Sequence, residues 1–331
     1  MMRMRTRLVI LPCLLVVSGA YADWQVPRTT DGHPNLQGIW HYGSGTPFER
    51  PPALGNKRVY TDEEARSEQR QLFKSQEQLA SPSDPDRGAP AAGAEIGNEA
   101  DQNFVGHRTN MTVIAGKYRT SLIVDPPNGR FPYRAGVMDL GEKRLATGHG
   151  GFDGPEIRPP SERCLNAPGP MPPMVGWTYN ANMRIVQTDK YVVIAAEMPF
   201  SPRIIPFANE FPLYGFPSWM GQSIGRWDGD TLVVRTRYLR PDSSREEFRM
   251  SDDMQVVERF TRISTNEIFY RYTVTDPKMY TQPMTVEMSM TLRRPGEHIY
   301  EFACHEGNYS LRSILAGARR VESQSVRGPA N

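Results

Sequence analysis

The sequence is poor in cysteine and contains no long apolar run. Three cysteines occur in 331 residues, and one of them, Cys13, lies in an apolar stretch near the N-terminus. That stretch, residues 8–17, is far shorter than the roughly 20 apolar residues that a membrane-spanning helix needs. No later stretch comes closer to this length, so the sequence predicts no membrane span.

Several common catalytic signatures are also missing. There is no H-E-x-x-H pair, C-x-x-C pair, P-loop or dinucleotide-binding glycine pattern. Zinc proteases, thiol oxidoreductases, NTPases and nicotinamide dehydrogenases therefore lack their usual support. No two histidines have the i, i+4 spacing of a helical zinc site, and we expect neither a metal nor another cofactor. A metal site assembled in three dimensions from His149, His305 and Glu306 is the remaining alternative.

The first 22 residues have the pattern of a secretory signal peptide. Residues 1–7 carry three arginines and no acid, residues 8–17 are apolar, and Ala20, Tyr21 and Ala22 form a small-x-small cleavage site. We therefore expect cleavage after Ala22 and a periplasmic or secreted protein. Without this segment, 36 of the 39 Lys and Arg remain against 37 Asp and Glu. Because this balance lacks a basic excess, nucleic acid and anionic membranes are not expected partners.

Two cysteines remain in the mature chain, Cys164 and Cys304. In an oxidising compartment, such a pair favours a disulfide over a metal or catalytic site. The alternative is two unpaired buried thiols. A bridge would close a loop long enough to stabilise the fold by about 4 kcal/mol in the chain-entropy treatment.

Composition divides the mature chain into two regions. Residues 23–100 form a lead-in with a strand at 36–41, a surface helix at 61–79 and a loop rich in Ala, Pro, Gly and Ser at 80–97. In residues 101–331 the hydrophobic period changes to two, which is typical of β-strands.

The second region contains a series of short predicted strands joined by turns. The clearest, residues 284–292, alternates apolar with polar side chains, so one face is expected in a core and the other in water. Sequential antiparallel strands favour an up-and-down, lipocalin-like barrel with long loops and a few short helices, because closure removes exposed sheet edges. A two-sheet sandwich is the competing arrangement. The strands are predicted at residues 111–115, 120–124, 184–188, 191–197, 203–207, 225–227, 231–236, 255–263, 267–274, 284–292 and 298–304, before a helix at 311–319.

Five strings along the mature chain resemble those of a family of exported bacterial proteins of unassigned function. The strings are DGHPNLQGIW, RTSLIVDPP, SERCL, RWDGDTL and ACHEGNY. The resemblance implies export and no particular activity. Residues 207–211 depart from the family's more polar turn, which bears on ligand preference rather than on the fold. Gly38, Ile39 and Trp40 are also similar to the lipocalin G-x-W opening, in which the Trp plugs one barrel end.

The strongest candidate site follows the last predicted strand. His305, Glu306, Asn308 and Tyr309 come directly after Cys304, and a disulfide would hold this segment still, as a general acid or base requires. His305 can exchange a proton near neutral pH, with Glu306 or Tyr309 orienting it or supplying a second proton. In the alternative, structural interpretation, Asn308 caps the closing helix and Tyr309 packs.

Four further residues are candidates for the site. His149 lies among glycines, which permit close approach of a ligand. In the alternative interpretation, the same glycines belong to an exposed loop without a function. Glu197 and Arg203 flank a strand connection, where they would act as a base and an anion clamp or form a structural ion pair. Met288 lies on the apolar face of its strand, where it would line a ligand cavity.

Methionine and aromatic residues are plentiful, with 16 Met, 13 Phe, 14 Tyr and 5 Trp. Such an adaptable apolar lining favours a small hydrophobic or aromatic ligand. Two hypotheses follow. The first is a periplasmic cavity enzyme of the lyase, isomerase or hydrolase type, using acid/base chemistry without a cofactor. The second is a non-catalytic periplasmic binding or carrier protein. The sequence indicates no oligomeric state.

Overall fold

The computed structural model describes residues 24–79, 86, 88, 109–138, 140–146, 148–165, 172–176, 181–198, 202–212, 215–241 and 248–327. The predicted signal peptide lies outside the described residues, as does nearly all of the predicted loop at 80–97. No helix within the described ranges is long and apolar enough to cross a membrane.

The described residues form twelve strands and four α-helices. The strands are β1 (Gly38–His41), β2 (Val113–Ile114), β3 (Lys117–Tyr118), β4 (Ile123–Asp125), β5 (Asn182–Gln187), β6 (Tyr191–Ala196), β7 (Arg203–Pro206), β8 (Gln222–Asp228), β9 (Thr231–Arg237), β10 (Gln255–Ser264), β11 (Glu267–Thr275) and β12 (Met284–Leu292). The helices are α1 (Asp62–Leu79), α2 (Leu140–Ala146), α3 (Cys304–Gly307) and α4 (Ser310–Arg327).

Nine of these strands form one sheet that is nearly closed into a barrel. Their order is β7, β6, β5, β1, β12, β11, β10, β9, β8, and every hydrogen-bonded ladder between them is antiparallel. β4 adds a tenth strand beside the start of β12. The prediction of a mainly β, antiparallel barrel is confirmed, and the sandwich does not form.

The seam of the barrel lies between β7 and β8. Nine strands that alternate in direction leave the two ends of the series parallel, and parallel strands cannot be joined by a tight hairpin. The seam is bridged at Phe207 and Gly225, where the Ala208 amide donates to the Gly225 carbonyl at 3.1 Å. A Cβ atom on Gly225 would lie 3.1 Å from Ile205 Cγ2, so the bare glycine backbone permits this approach.

The predicted strands that correspond to β5–β7 and β9–β12 are confirmed to within two residues at each end, whereas β8 begins three residues before its predicted start. The predicted last strand, residues 298–304, is wrong: residues 297–303 are irregular and Cys304 begins α3. The neighbouring edge of β12 is already paired with β1 and β4, which leaves this segment no ladder to join. The predicted strand at 111–115 is reduced to β2.

Helix α1 confirms the predicted surface helix. Thr61 Oγ1 accepts a hydrogen bond from the Glu64 amide at 3.3 Å, and Glu64 Oε2 accepts one from the Thr61 amide at 2.8 Å. This reciprocal pair is a capping box. The closing helix α4 runs eight residues beyond the predicted end at 319, to Arg327.

Alternate side chains of the strands fill the barrel. Trp40 is fully buried, its indole nitrogen donates to the Leu36 carbonyl at 2.8 Å, and the Arg262 guanidinium lies 5.5 Å from its ring centre. We call this the closed end, and we call the opposite end, where β7, β8, β10 and β12 begin, the mouth. Strands β4, β9 and β11 end at the mouth, and β5, β10 and β12 begin there.

The outer face of β12 is less exposed to solvent than the alternation predicts. Met288 and Met290 are fully buried as predicted, but Glu287 on the opposite face is buried as well. Arg119 Nη2 donates to Glu287 Oε2 at 2.8 Å, and the Glu287 amide donates to the Leu122 carbonyl at 3.0 Å. The chain leading into β4 covers this part of the strand.

Candidate functional site

The predicted disulfide is present. Cys164 and Cys304 are bonded across 140 residues of sequence, with their Cα atoms 5.7 Å apart. The bridge joins the loop after α2 to α3, outside the barrel. It therefore anchors the segment that carries four of the predicted site residues.

The predicted catalytic cluster lies on the surface. His305 and Glu306 are exposed, and Tyr309 is 78% exposed rather than packed. Asn308 is structural: its Nδ2 donates to the Glu162 carbonyl at 2.7 Å, and its Oδ1 accepts from the Leu311 amide at 3.3 Å. The structure thus supports the capping interpretation for Asn308 and gives the other three side chains no enclosed surroundings.

His149 does not join this cluster. Its Nδ1 lies 3.7 Å from Asp153 Oδ2, and both side chains are about half exposed. Asp153 Oδ2 also accepts a hydrogen bond from the Gly150 amide at 2.8 Å, so it holds the loop. No group of three His, Cys, Asp or Glu in the described part of the chain is placed to bind a metal ion.

Glu197 and Arg203 do not pair with each other, so the structural ion pair considered for them is wrong. Glu197 is buried, and its carboxylate accepts from Asn182 Nδ2 at 2.8 Å and from the Tyr300 amide at 3.1 Å. Asn182 Oδ1 in turn lies 3.1 Å from His41 Nδ1. These hydrogen bonds hold the segment that contains Tyr300, after β12, against the outside of the barrel.

Arg203 instead pairs with Glu258 inside the barrel. Nη1 and Nη2 donate to the two oxygens of Glu258 at 3.0 and 2.6 Å, and the side chains are 2% and 0% exposed. Nη2 also donates to Ser223 Oγ at 3.2 Å and Thr236 Oγ1 at 3.3 Å. Tyr270 Oη donates to Glu258 Oε1 at 2.8 Å. We call these five residues the interior polar network.

The protonation of the interior polar network follows from burial and from the neighbouring charges. Burial lowers the pKa of Arg203, but the Glu258 carboxylate outweighs this and raises it above its ordinary value. Burial, followed by the charge of Glu258, raises the pKa of Tyr270 well above its ordinary value. The Arg203 guanidinium and the Glu258 carboxylate form an ion pair, and the hydroxyl groups around them are neutral.

The sequence reasoning missed Glu258, although a signal existed. Glu258 has the same inward parity along β10 as Val256 and Phe260, both buried. The sequence also contains a G-x-S-x-G string from Gly221 to Gly225, although no serine-nucleophile turn was expected from it. A serine nucleophile needs that string at a strand-to-helix turn, whereas Ser223 lies within β8 and its Oγ is 2.8 Å from Thr236 Oγ1. Ser223 is a member of the interior polar network.

A short segment reaches into the barrel above this network. In residues 172–176, which we call the strap, Met174 and Val175 are buried, and the Met174 amide donates to Tyr270 Oη at 3.2 Å. A Cβ atom on Gly176 would lie 2.9 Å from Leu122 Cδ1 and 3.7 Å from Met288 Cε. Met288, a predicted ligand-binding residue, is thus beside the strap inside the barrel.

An open cavity of about 420 Å³ lies among the mouth loops. We call it the mouth pocket. Its apolar wall includes three methionines and its polar wall includes two lysines, of which Lys278 Nζ lies 2.7 Å from Asp252 Oδ1 and 3.1 Å from Asp253 Oδ2. The lining residues are Gly136, Val137, Met138, Lys143, Pro241, Met250, Ser251, Asp252, Lys278 and Met279.

Comparison with protein-family models, with curated proteins and with solved structures gave no match for this chain. The function therefore has to be inferred from the geometry of the mouth pocket and of the barrel interior. Of the predicted site residues, Arg203 and Met288 lie in the interior, Glu197 lies on the barrel wall, and the histidines lie on the surface.

Proposed function

We propose that this chain is a non-catalytic binding or carrier protein for a small hydrophobic ligand, which it holds in the mouth pocket. The observation that carries the proposal is an open cavity of about 420 Å³ lined by Met138, Met250 and Met279. Ligand sites in proteins have volumes of about 300 to 1,000 Å³ and mostly apolar walls. Methionine side chains adapt to different apolar shapes.

The polar residues of the mouth pocket favour binding over acid/base catalysis. The hydrogen bonds that Lys278 donates to Asp252 and Asp253 raise its pKa, so Lys278 stays protonated at neutral pH and is a poor base. Ser251 Oγ donates to Asp276 Oδ1 at 2.7 Å, so this hydroxyl stabilises the loop. These groups can orient a polar tail of a ligand without reacting with it.

A fluorescence titration tests this proposal. N-phenyl-1-naphthylamine, an uncharged probe that fluoresces in apolar surroundings, should bind the native chain. Met138→Asp places a charge on a partly exposed pocket wall (42% exposed), so it should weaken probe binding at least tenfold without changing the melting temperature. Val321→Asp, at an exposed apolar position on α4 (65% exposed) away from the pocket lining, is the control and should bind as the native chain does. No probe uptake, or equal uptake by both variants, would refute the proposal.

The enzymatic hypothesis, a lyase, isomerase or hydrolase using His305 with Glu306 or His149, stays a prediction. The surface positions of these residues add no support to it. Export to the periplasm or the medium is part of the proposal: its support is the signal-like segment 1–22 and the Cys164–Cys304 bond, since stable disulfides belong to oxidising compartments.

A further inference from the structure

The interior polar network has an unused donor. Arg203 Nε is buried, and no described residue accepts a hydrogen bond from it. A buried donor without a partner loses its hydrogen bonds to water and gains none in return, which costs free energy. The other two guanidinium nitrogens of Arg203 donate to Glu258, Ser223 and Thr236.

The strap is the structural element that covers this network from the mouth. It is not a strand and takes no part in the sheet. Among the described contacts of the strap is a hydrogen bond inside the barrel from the Met174 amide to Tyr270 Oη, the hydroxyl that also donates to Glu258. The strap therefore fills the space next to the interior polar network with the apolar side chains of Met174 and Val175. It also offers the network one N–H donor, from Met174.

We propose that the barrel interior under the strap is a second binding chamber, for an uncharged ring compound that carries a hydroxyl group, and that the strap is its resident occupant. The ligand would replace the apolar side chains of Met174 and Val175. It would also displace the Met174 N–H from Tyr270 Oη. This inference does not rest on the mouth pocket.

The chemical class follows from the network. Arg203 and Glu258 neutralise each other, so a charged ligand would enter a dry interior with no counter-ion, at a high cost in free energy. A hydroxyl group is both a donor and an acceptor. Its proton can replace the Met174 N–H at Tyr270 Oη, and the buried Arg203 Nε is a further donor within the same network.

Hydrogen exchange on the native chain tests the displacement directly. Addition of 2-naphthol should speed amide exchange in the peptide that contains residues 172–176 at least threefold, because the ligand takes the place of the strap. Binding to the mouth pocket alone would leave this peptide unchanged or protect it. Met138→Asp should keep the acceleration, which separates the chamber from the proposed mouth-pocket function.

Calorimetry with a strap variant tests the competition. Replacing Met174 and Val175 by Ala should raise the affinity for 2-naphthol at least fivefold, because a weaker occupant leaves a larger fraction of the chain competent to bind. 2-Methoxynaphthalene, which lacks the donor, should bind at least tenfold more weakly than 2-naphthol, and 2-naphthoate should not bind detectably.

Met290→Ala is the control for an adventitious cavity. It truncates a methionine near the closed end of β12 that is as fully buried as Met174. It should not raise the affinity for 2-naphthol. An equal gain in Met290→Ala and the strap variant would overturn the proposal, and so would slower or unchanged exchange of the strap in the native chain with 2-naphthol. The exchange result stands even if the strap variant does not fold.

Discussion

At the scale of single residues, the barrel holds a buried charge pair in an interior that is mostly apolar. Burial of two ions is costly, and their attraction offsets that cost only when the geometry is good and the remaining hydrogen bonds are made. Glu258 meets this condition with two bonds from Arg203 and one from Tyr270. Loss of one partner would leave the other charged and buried.

Glu258→Gln should therefore lower the free energy of unfolding by about 3 to 5 kcal/mol, because Arg203 would keep its charge without a counter-ion. Asp228→Asn removes an exposed ion pair with Arg259, the next residue of β10, whose side chains are 48% and 41% exposed. It should cost under about 1 kcal/mol. Urea unfolding of both variants checks the contrast, and equal losses would show that the interior pair is not stabilising.

At the scale of the element, β12 shows how much of a strand's burial the alternation of apolar and polar residues predicts. Its inward positions, including Met288 and Met290, are buried as the pattern predicts. Its outward positions differ among themselves, since Glu287 is covered by Arg119 whereas Ser289 is only partly buried. The period of a strand identifies two faces, but what covers the second face depends on residues far away in sequence.

A pair of neighbouring substitutions tests the two faces of β12. Met288→Asp should cost at least about 3 kcal/mol or prevent folding, because an unpaired carboxylate would enter the apolar interior. Ser289→Asp should cost under about 1 kcal/mol, although it adds a like charge near Glu267, whose Oε1 accepts from Ser289 Oγ at 2.8 Å. Soluble yield and thermal melting measure both, and equal tolerance of the two would contradict the inward placement of Met288.

At the scale of the whole molecule, two kinds of constraint hold distant parts together. The sheet brings β1 between β12 and β5 and closes through one bridge at the seam. The disulfide then ties α3 to the loop that follows α2. None of the side chains described in α3 and α4 is fully buried, so this C-terminal unit depends on the bridge and on a few polar contacts such as Arg319 to the Phe152 carbonyl at 2.8 Å.

Replacement of both Cys164 and Cys304 by Ser should lower the stability by about 2 to 4 kcal/mol, because the unfolded chain gains the entropy of an open loop. Amide exchange should rise first in α4 and only later in β11 and β12, since the barrel keeps its core. Denaturant unfolding and peptide-resolved exchange measure the two effects. Uniform loss of protection in α4 and in the barrel would contradict the peripheral role of the bridge.

The sequence by itself determined the local and periodic features of this protein. The capping box starts α1, the alternation in β12 gives the buried face, and the only two cysteines outside the predicted signal peptide give the bridge. Each of these depends on neighbouring residues or on pairing with only one possible partner. Local periodicity and composition report such features without knowledge of the fold.

Only the tertiary structure decided which polar groups meet. Arg203 and Glu258 lie 55 residues apart in sequence, and their pairing follows from the order of strands around the barrel. Glu197 could not reach Arg203, because the sheet places Asn182 and Tyr300 beside it. His149 and His305 stayed at the surface. Strand order and barrel closure result from the packing of the whole chain, and no local pattern records them.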